Sequence, residues 1–322
     1  MRNEVRVSIM NRRLDLCQVP QADCRHCSRA ERDEIDADGL CTHIKSTLDG
    51  LPLRCVGEWA YDKIYRLVQY FGIFASGMKN AWTGLNYVEI CSGPGRCLIR
   101  EDRTEMDGTA LAIIRHKQFP VLQNAVFIDA SPRVVDVLNQ RIKNLGASRI
   151  ARAAVGDYQQ PDSICRILNG LPDGCLNLVF IDPTECDVPF STLSRIVDHL
   201  DNADLLINFA LGTDVTRNII PAILSPTTHA AVREKYGGFL GSPDFCSRPD
   251  VVQLAARSDH DDLRRAFTDA YQERLRSIGY IYTDVRPVRH YYYLLFASRK
   301  PKGLEFWKKS CAIEPDNQRL LL

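Results

Sequence analysis

Glu89-Ile90-Cys91-Ser92-Gly93-Pro94-Gly95 puts an acid just before a Gly-x-Gly turn, at the end of an apolar run. Glycines at such a turn let the backbone approach a ligand that any Cβ would hold off. A helix starting there would aim its N–H groups and the positive end of its dipole at the same place. Ser92, Gly93, Pro94 and Gly95 would form the cradle, and Glu89 could accept from an ammonium group or from loop amides. Gly-Pro-Gly also closes ordinary structural turns, so the motif alone says little.

Two more acids add to it. Val126-Phe127-Ile128-Asp129 ends a second apolar run on a carboxylate, where ligands bind in open α/β sheets and where both ribose hydroxyls can be accepted. A third run leads into Gly156-Asp157, from which Asp157 could accept an adenine amino group. Three acids after three successive strands point to an adenosyl ligand with an amino-acid arm, S-adenosylmethionine. The plainer alternative makes Asp129 and Asp157 helix N-caps. A dinucleotide fingerprint would need glycine where Leu98 stands, and no phosphate-binding Gly-Lys-Ser/Thr loop is present.

Leu178-Val179-Phe180-Ile181-Asp182-Pro183-Thr184-Glu185 ends a fourth run on Asp-Pro. Pro183 stiffens the turn and holds Asp182 extended, aiming its side chain into a cleft. Methyl transfer from a sulfonium depends mainly on alignment of nucleophile, methyl carbon and sulfur. A positioned acceptor such as Asp182 is therefore a sensible principal group, with Pro183 fixing it. Glu185 and Asn208 are further candidates, and a purely structural turn is the alternative.

Cys24-x-x-Cys27, then Cys41 and His43, supply four ligands suited to zinc, with Cys17 a fifth. A structural zinc would stabilise a polar segment that burial cannot. Free thiols or an iron–sulfur cluster are the alternatives. The remaining seven of the twelve cysteines, apart from Cys55, are scattered singly and read as small buried hydrophobes.

The elements that must hold these residues follow from periodicity. Trp59, Ile64, Leu67, Val68 and Phe71 recur at helical spacing over 58–75, with Gly72 and Gly77 ending the run. Strands are expected at 87–91, 125–129, 150–155, 176–181 and 203–209, alternating with helices, which indicates a parallel sheet covered on both faces. A helix over 262–277 and strands at 280–288 and 291–298 would finish a seven-stranded Rossmann-like methyltransferase sheet, class I in type, with an antiparallel edge strand. The chain divides at 1–56, a Cys-rich appendage, and 57–322, the α/β domain, with a proline-rich insertion at about 212–260. At 45% hydrophobic, 25% charged and net charge +1 the composition is that of a cytoplasmic globule, with no long apolar span for a membrane.

The chain resembles the three-Cys-motif partner proteins of bacteria and their phages. The resemblance rests on Asp62-Lys63-Ile64, Ser92-Gly93-Pro94-Gly95-Arg96, Phe180-Ile181-Asp182-Pro183, Leu206-Ile207-Asn208-Phe209, Tyr293-Leu294-Leu295-Phe296-Ala297-Ser298 and Gly303-Leu304-Glu305-Phe306-Trp307. It implies a methyltransferase-like Rossmann domain with a radical-SAM-like protein partner. Cys91 and Thr184-Glu185 depart from the family pattern, so only the cofactor loop and Asp182 carry over.

Two functions compete. One is a methyltransferase acting on nucleic acid or a nucleobase-like amine. Its local support is the interleaving of Arg286, Arg289, His290, Tyr291, Tyr292, Arg299, Lys300, Lys302, Lys308 and Lys309. The other is a non-catalytic scaffold serving a neighbouring protein through the cysteine segment or the insertion.

Overall fold

The structure is a computed structural model that describes residues 18–20, 27, 28, 31, 34, 38–41, 43–289 and 291–312. Strands β3 (Leu85–Ile90), β6 (Asn124–Asp129), β7 (Ala151–Val155), β8 (Leu176–Ile181), β9 (Ala203–Phe209), β10 (Tyr282–Val288) and β11 (Tyr292–Ser298) form one sheet, ordered β10-β11-β9-β8-β3-β6-β7. β3, β8 and β9 are buried at every position, as strands covered on both faces must be. β6 runs parallel to β3 and to β7, whereas β11 runs antiparallel to both β9 and β10. This is a mostly parallel Rossmann-like sheet, with its last strand reversed.

The reversed strand is not at the edge, as the sequence suggested. β11 lies between β9 and β10. It is apolar and almost wholly buried, while β10 is half-exposed and carries Pro287, which has no ladder donor and suits an edge.

A second sheet, ordered β1-β5-β4-β2, comprises β1 (Gln18–Pro20), β2 (Arg54–Val56), β4 (Arg96–Ile99) and β5 (Thr104–Asp107). β4 and β5 form an antiparallel hairpin, β1 adds antiparallel to β5, and β2 adds parallel to β4. The described part of 1–56 is thus joined to the hairpin, and Cys41, Ile44 and Leu53 pack on Leu98.

The helices are α1 (Trp59–Met78), α2 (Thr109–Ile114), α3 (Pro132–Asn144), α4 (Pro161–Leu168), α5 (Phe190–His199), α6 (Thr216–Leu224), α7 (Ala230–Leu240), α8 (Pro249–Ala256), α9 (His260–Ser277) and α10 (Pro301–Cys311). In α3, Pro132 opens the first turn, the Ser131 hydroxyl accepts from Val134 N at 3.3 Å, and Val134, Val135, Leu138 and Ile142 form the buried stripe. α1 does not stop at Gly72 or Gly77. Those glycines are needed for contact: a methyl at Gly72 would sit 3.1 Å from the His116 ring, and one at Gly77 would sit 2.5 Å from the Phe306 ring. The insertion after β9 is helical, opening on a π-turn at Leu211–Val215 and continuing as α6 to α8. No helix among the described residues is long and apolar enough to cross a membrane.

Two compact units result. The first holds the described residues up to Gly156, Leu171–Leu178 and those from Glu305 onward; the second holds Asp157–Gly170 and Val179–Leu304. In the first, a buried amide ladder runs from Asn124 through Asn86 to Asn177, at 3.1 and 3.0 Å. Tyr87 packs edge-on to Phe71, and Trp307 edge-on to Tyr70. In the second, Phe209, Phe239, Phe267 and Tyr271 make an aromatic core around the insertion helices.

Candidate functional site

In the first unit the glycine loop leaves β3 through three successive positive φ values at non-adjacent residues: Cys91 at 64°, Gly93 at 63° and Gly95 at 89°. Backbone and side-chain bonds hold this shape. Ser92 N donates to Ile128 O at 3.1 Å, and Gly93 N donates to Asp129 Oδ2 at 3.0 Å. Asp129 Oδ1 accepts from Ser131 N at 3.1 Å, and Asp129 O accepts from Gly156 N at 3.0 Å. Asp129 is therefore not the cap of α3, which is Ser131; it braces the glycine loop against the ends of β6 and β7. Each of its carboxylate oxygens accepts one backbone bond and retains capacity for a second donor.

Pro94 O accepts from Arg141 Nη1 at 2.7 Å. Arg141 is buried and also pairs with Asp49, Nε to Oδ2 at 2.8 Å. Burial disfavours the Asp49 carboxylate, but the Arg141 guanidinium more than offsets this and holds it below its ordinary range.

The two glycines face different surroundings. A methyl at Gly95 would lie 2.8 Å from Leu138 Cδ1 and 3.1 Å from Leu111 Cγ, so this residue is packed beneath helices. A methyl at Gly93 would meet only Arg54, with Nη1 at 3.9 Å and Cδ at 4.0 Å. Gly93 is itself buried, but of the two it is the one whose Cα has room beside it. Beside it the buried Ser92 hydroxyl has no hydrogen-bond partner among the described residues, which costs on the order of 1–3 kcal/mol unless a ligand atom supplies one. A small polar ligand with hydroxyl donors fits these groups.

Two expectations are corrected here. No helix begins at the loop: the chain enters β4, and α2 starts only after the hairpin, with Gly108 N bonded to Gly95 O at 2.7 Å. The reason lies in a buried ion network. Arg96 bonds Glu105 at 3.0 Å and Asp107 at 3.2 Å, and Arg115 bonds Asp107 at 3.0 Å, so the hairpin is fastened internally. The alternation of Arg96 with Leu98, and of Glu105 with Asp107, could have shown strands, but buried charges mask the usual apolar pattern. Glu89, moreover, is fully buried and already accepts from the Thr109 hydroxyl at 2.5 Å and the Tyr87 hydroxyl at 2.7 Å. It ties β3 to α2 instead of facing outward to an ammonium group.

Asp157, Asp182 and Pro183 belong to the second unit. Asp157 Oδ1 accepts from Gln159 N at 2.8 Å, and its Oδ2 accepts from the Gln160 side chain at 3.3 Å; the cap of α4 is Gln160. Asp182 Oδ1 accepts from Asn208 Nδ2 at 2.9 Å, and the same amide reaches Pro183 O at 3.4 Å. This joins the ends of β8 and β9. Asn208 is buried, and its Oδ1 has no partner among the described residues.

Glu185 pairs with Lys235 at 2.8 Å. Lys235 also bonds Asp214 at 2.9 Å, and Asp214 accepts from Cys186 N, Tyr236 and Asn218. Burial works against the Asp214 carboxylate, yet Lys235 and the Cys186 amide bring it below the usual value. Asp187, by contrast, is pushed up by burial, although it accepts from the Tyr158 hydroxyl at 2.7 Å. Sequence reading missed Asp214, Lys235 and Asp187 because their charged or phenolic partners lie 21 to 50 positions away.

Of the proposed zinc ligands, Cys17 and Cys24 lie outside the described residues. Cys27, Cys41 and His43 are described, and among the described residues no group of three or more His, Cys, Asp or Glu could hold a metal. Cys41 sits instead in an apolar cluster, where the Cys55 thiol donates to it and, against the opposing effect of burial, draws it down to about 5 with help from the His43 and Ile44 amides.

The basic and aromatic residues near the C-terminus are largely engaged. Arg286 pairs with Asp284, Arg299 donates to Asp201 O and covers the Tyr280 ring, Lys309 pairs with Glu305, and Tyr292 is buried. His290 lies outside the described residues, and Tyr291 is exposed.

No protein-family model matches the chain, and no curated protein matches it. Among solved structures, an O-methyltransferase from Bacillus cereus in complex with SAH aligns at 12% identity over 86% of this chain and 94% of its own, with a TM-score of 0.39. The O-methyltransferase TomG from Streptomyces achromogenes in complex with SAM aligns at 13% identity over 73% and 79%, again with a TM-score of 0.39. A S-adenosylmethionine-dependent methyltransferase from Clostridium acetobutylicum aligns at 13% identity over 51% of this chain, which spans 58% of that protein, with a TM-score of 0.31. Likeness at this level carries no argument about activity.

Proposed function

We propose that the chain is a S-adenosylmethionine-dependent methyltransferase acting on a nucleobase-like amine, free or within nucleic acid. The observation that supports the cofactor is the surrounding of Gly93: a Cα where an added methyl would meet only Arg54, the Asp129 carboxylate on its N–H and, next to it in the chain, a Ser92 hydroxyl with no partner among the described residues. Asp129 accepts the ribose hydroxyls. Gly93 lets the ligand lie against the backbone, and Ser92 gains the partner it lacks. When bound, the cofactor supplies an electrophilic methyl group on a sulfonium sulfur.

The support for an amine is chemical. Asp182 offers a carboxylate, and Asn208 offers a buried amide oxygen with no partner, so both are acceptors and suit an N–H donor. Pro183 and the Asn208 amide keep Asp182 in one orientation for such a donor.

Calorimetry with S-adenosylmethionine tests the reading. Wild-type protein binds, and Asp129→Ala binds about 10- to 100-fold more weakly, as expected for loss of a charged acceptor. Absence of binding heat for the wild type removes the enzyme assignment.

A further inference from the structure

Besides Asp129, the charged groups named around the glycine loop are engaged among the described residues, and Arg54 is not. Glu89 is occupied by Thr109 and Tyr87. Among the cations, Arg141 is neutralised by Asp49, Arg133 by Asp38, and Arg96 by Glu105 and Asp107. Arg54 differs from all of them. It makes no hydrogen bond or ion pair among the described residues, although it is half-buried, and it is placed by pairing of β2 with β4, opposite Cys97. Its guanidinium lies between Gly39 and Gly93, where added methyls would stand 3.7 and 3.9 Å from Nη1. A half-buried cation therefore lies beside Gly93, next in the chain to the Ser92 hydroxyl, which has no partner among the described residues.

We infer that Arg54 receives the carboxylate of the ligand's amino-acid arm. This rests on the adenosyl reading and replaces the ammonium contact first expected of Glu89 by an anion contact from outside the main sheet. Gly93 is the pivot, since Asp129 holds its N–H while Arg54 lies against its Cα. A ligand placed there meets an acceptor for hydroxyls on one side and a two-pronged donor for a carboxylate on the other. A phosphate is the poorer match, because its higher charge would stand near the Asp129 carboxylate.

The test compares S-adenosylhomocysteine, which carries the carboxylate, with 5′-methylthioadenosine, which lacks the whole arm. Arg54→Gln should weaken S-adenosylhomocysteine about 10- to 100-fold and leave 5′-methylthioadenosine unchanged, with part of the loss restored in Arg54→Lys. Unchanged binding of the second ligand also reports that the variant is folded. Equal weakening of both ligands in both variants, or of neither, overturns the role of Arg54 while the adenosyl reading stands. Tighter binding of adenosine 5′-monophosphate than of S-adenosylhomocysteine, lost in Arg54→Gln, assigns a phosphate instead and likewise overturns it. If the wild type binds neither adenosyl ligand, the adenosyl reading fails and this inference fails with it.

Discussion

Gly93 and Gly95 share a left-handed conformation and serve different ends. At Gly95 the hydrogen is pressed between Leu111 and Leu138. Gly95→Ala should lose about 2–4 kcal/mol of stability, from backbone strain and overpacking together. At Gly93 only the far end of Arg54 is near. Gly93→Ala should lose roughly 1–2 kcal/mol from strain alone, while weakening S-adenosylmethionine at least about tenfold because the methyl occupies ligand space. Urea unfolding and calorimetry on the two variants separate these effects; equal stability losses would contradict the assignment. The glycine turn and Asp129 were legible in the sequence because their chemistry is local to strand ends. The role of Glu89 was not, since its partner Thr109 lies beyond a hairpin that no periodicity announced.

At the scale of elements, that hairpin is the main departure from a plain Rossmann plan. Arg96, Glu105 and Asp107 are buried at 2% exposure or less, so their charges depend on one another. Glu105 also accepts from the Ser46 hydroxyl and, at 3.1 Å, from Thr47 N, which fastens the described N-terminal segment to β5. Arg96→Met leaves two carboxylates buried without their shared cation and should cost about 3–5 kcal/mol in urea unfolding. A loss under about 1 kcal/mol would place the network among weak surface pairs. The strands of the main sheet were readable as continuous apolar runs, β8 and β9 to the residue. β4 and β5 were hidden because charged side chains occupy their inward positions. β11 was read correctly as a strand, but its place inside the sheet depends on pairing partners that no local pattern encodes.

For the whole molecule, a mostly parallel sheet with a reversed last strand is what the alternation of apolar runs and helices led one to expect, while the strand order and the joining of the described N-terminal residues to a second sheet were not. The carboxylates that fasten distant segments set the response to acid. Asp49 and Asp214 ionise below their ordinary value in the folded state, so the stability they contribute is complete above about pH 4, the unfolded range, and is lost as pH falls through their depressed values. Asp187, raised by burial, acts oppositely: its contribution is present at low pH and lost as pH rises through its folded value. Two acids against one predict a urea midpoint that falls below about pH 4, with a smaller fall in Asp49→Asn, whose midpoint is already lower at neutral pH. A midpoint independent of pH between about 3 and 7 would contradict this.

A crystal structure of the protein grown with saturating S-adenosylhomocysteine addresses the central claim most directly. The account places the ribose hydroxyls within hydrogen-bonding distance of Asp129 and the adenosyl group against Gly93. Ligand density elsewhere, or a glycine loop left bare at saturation, would contradict it.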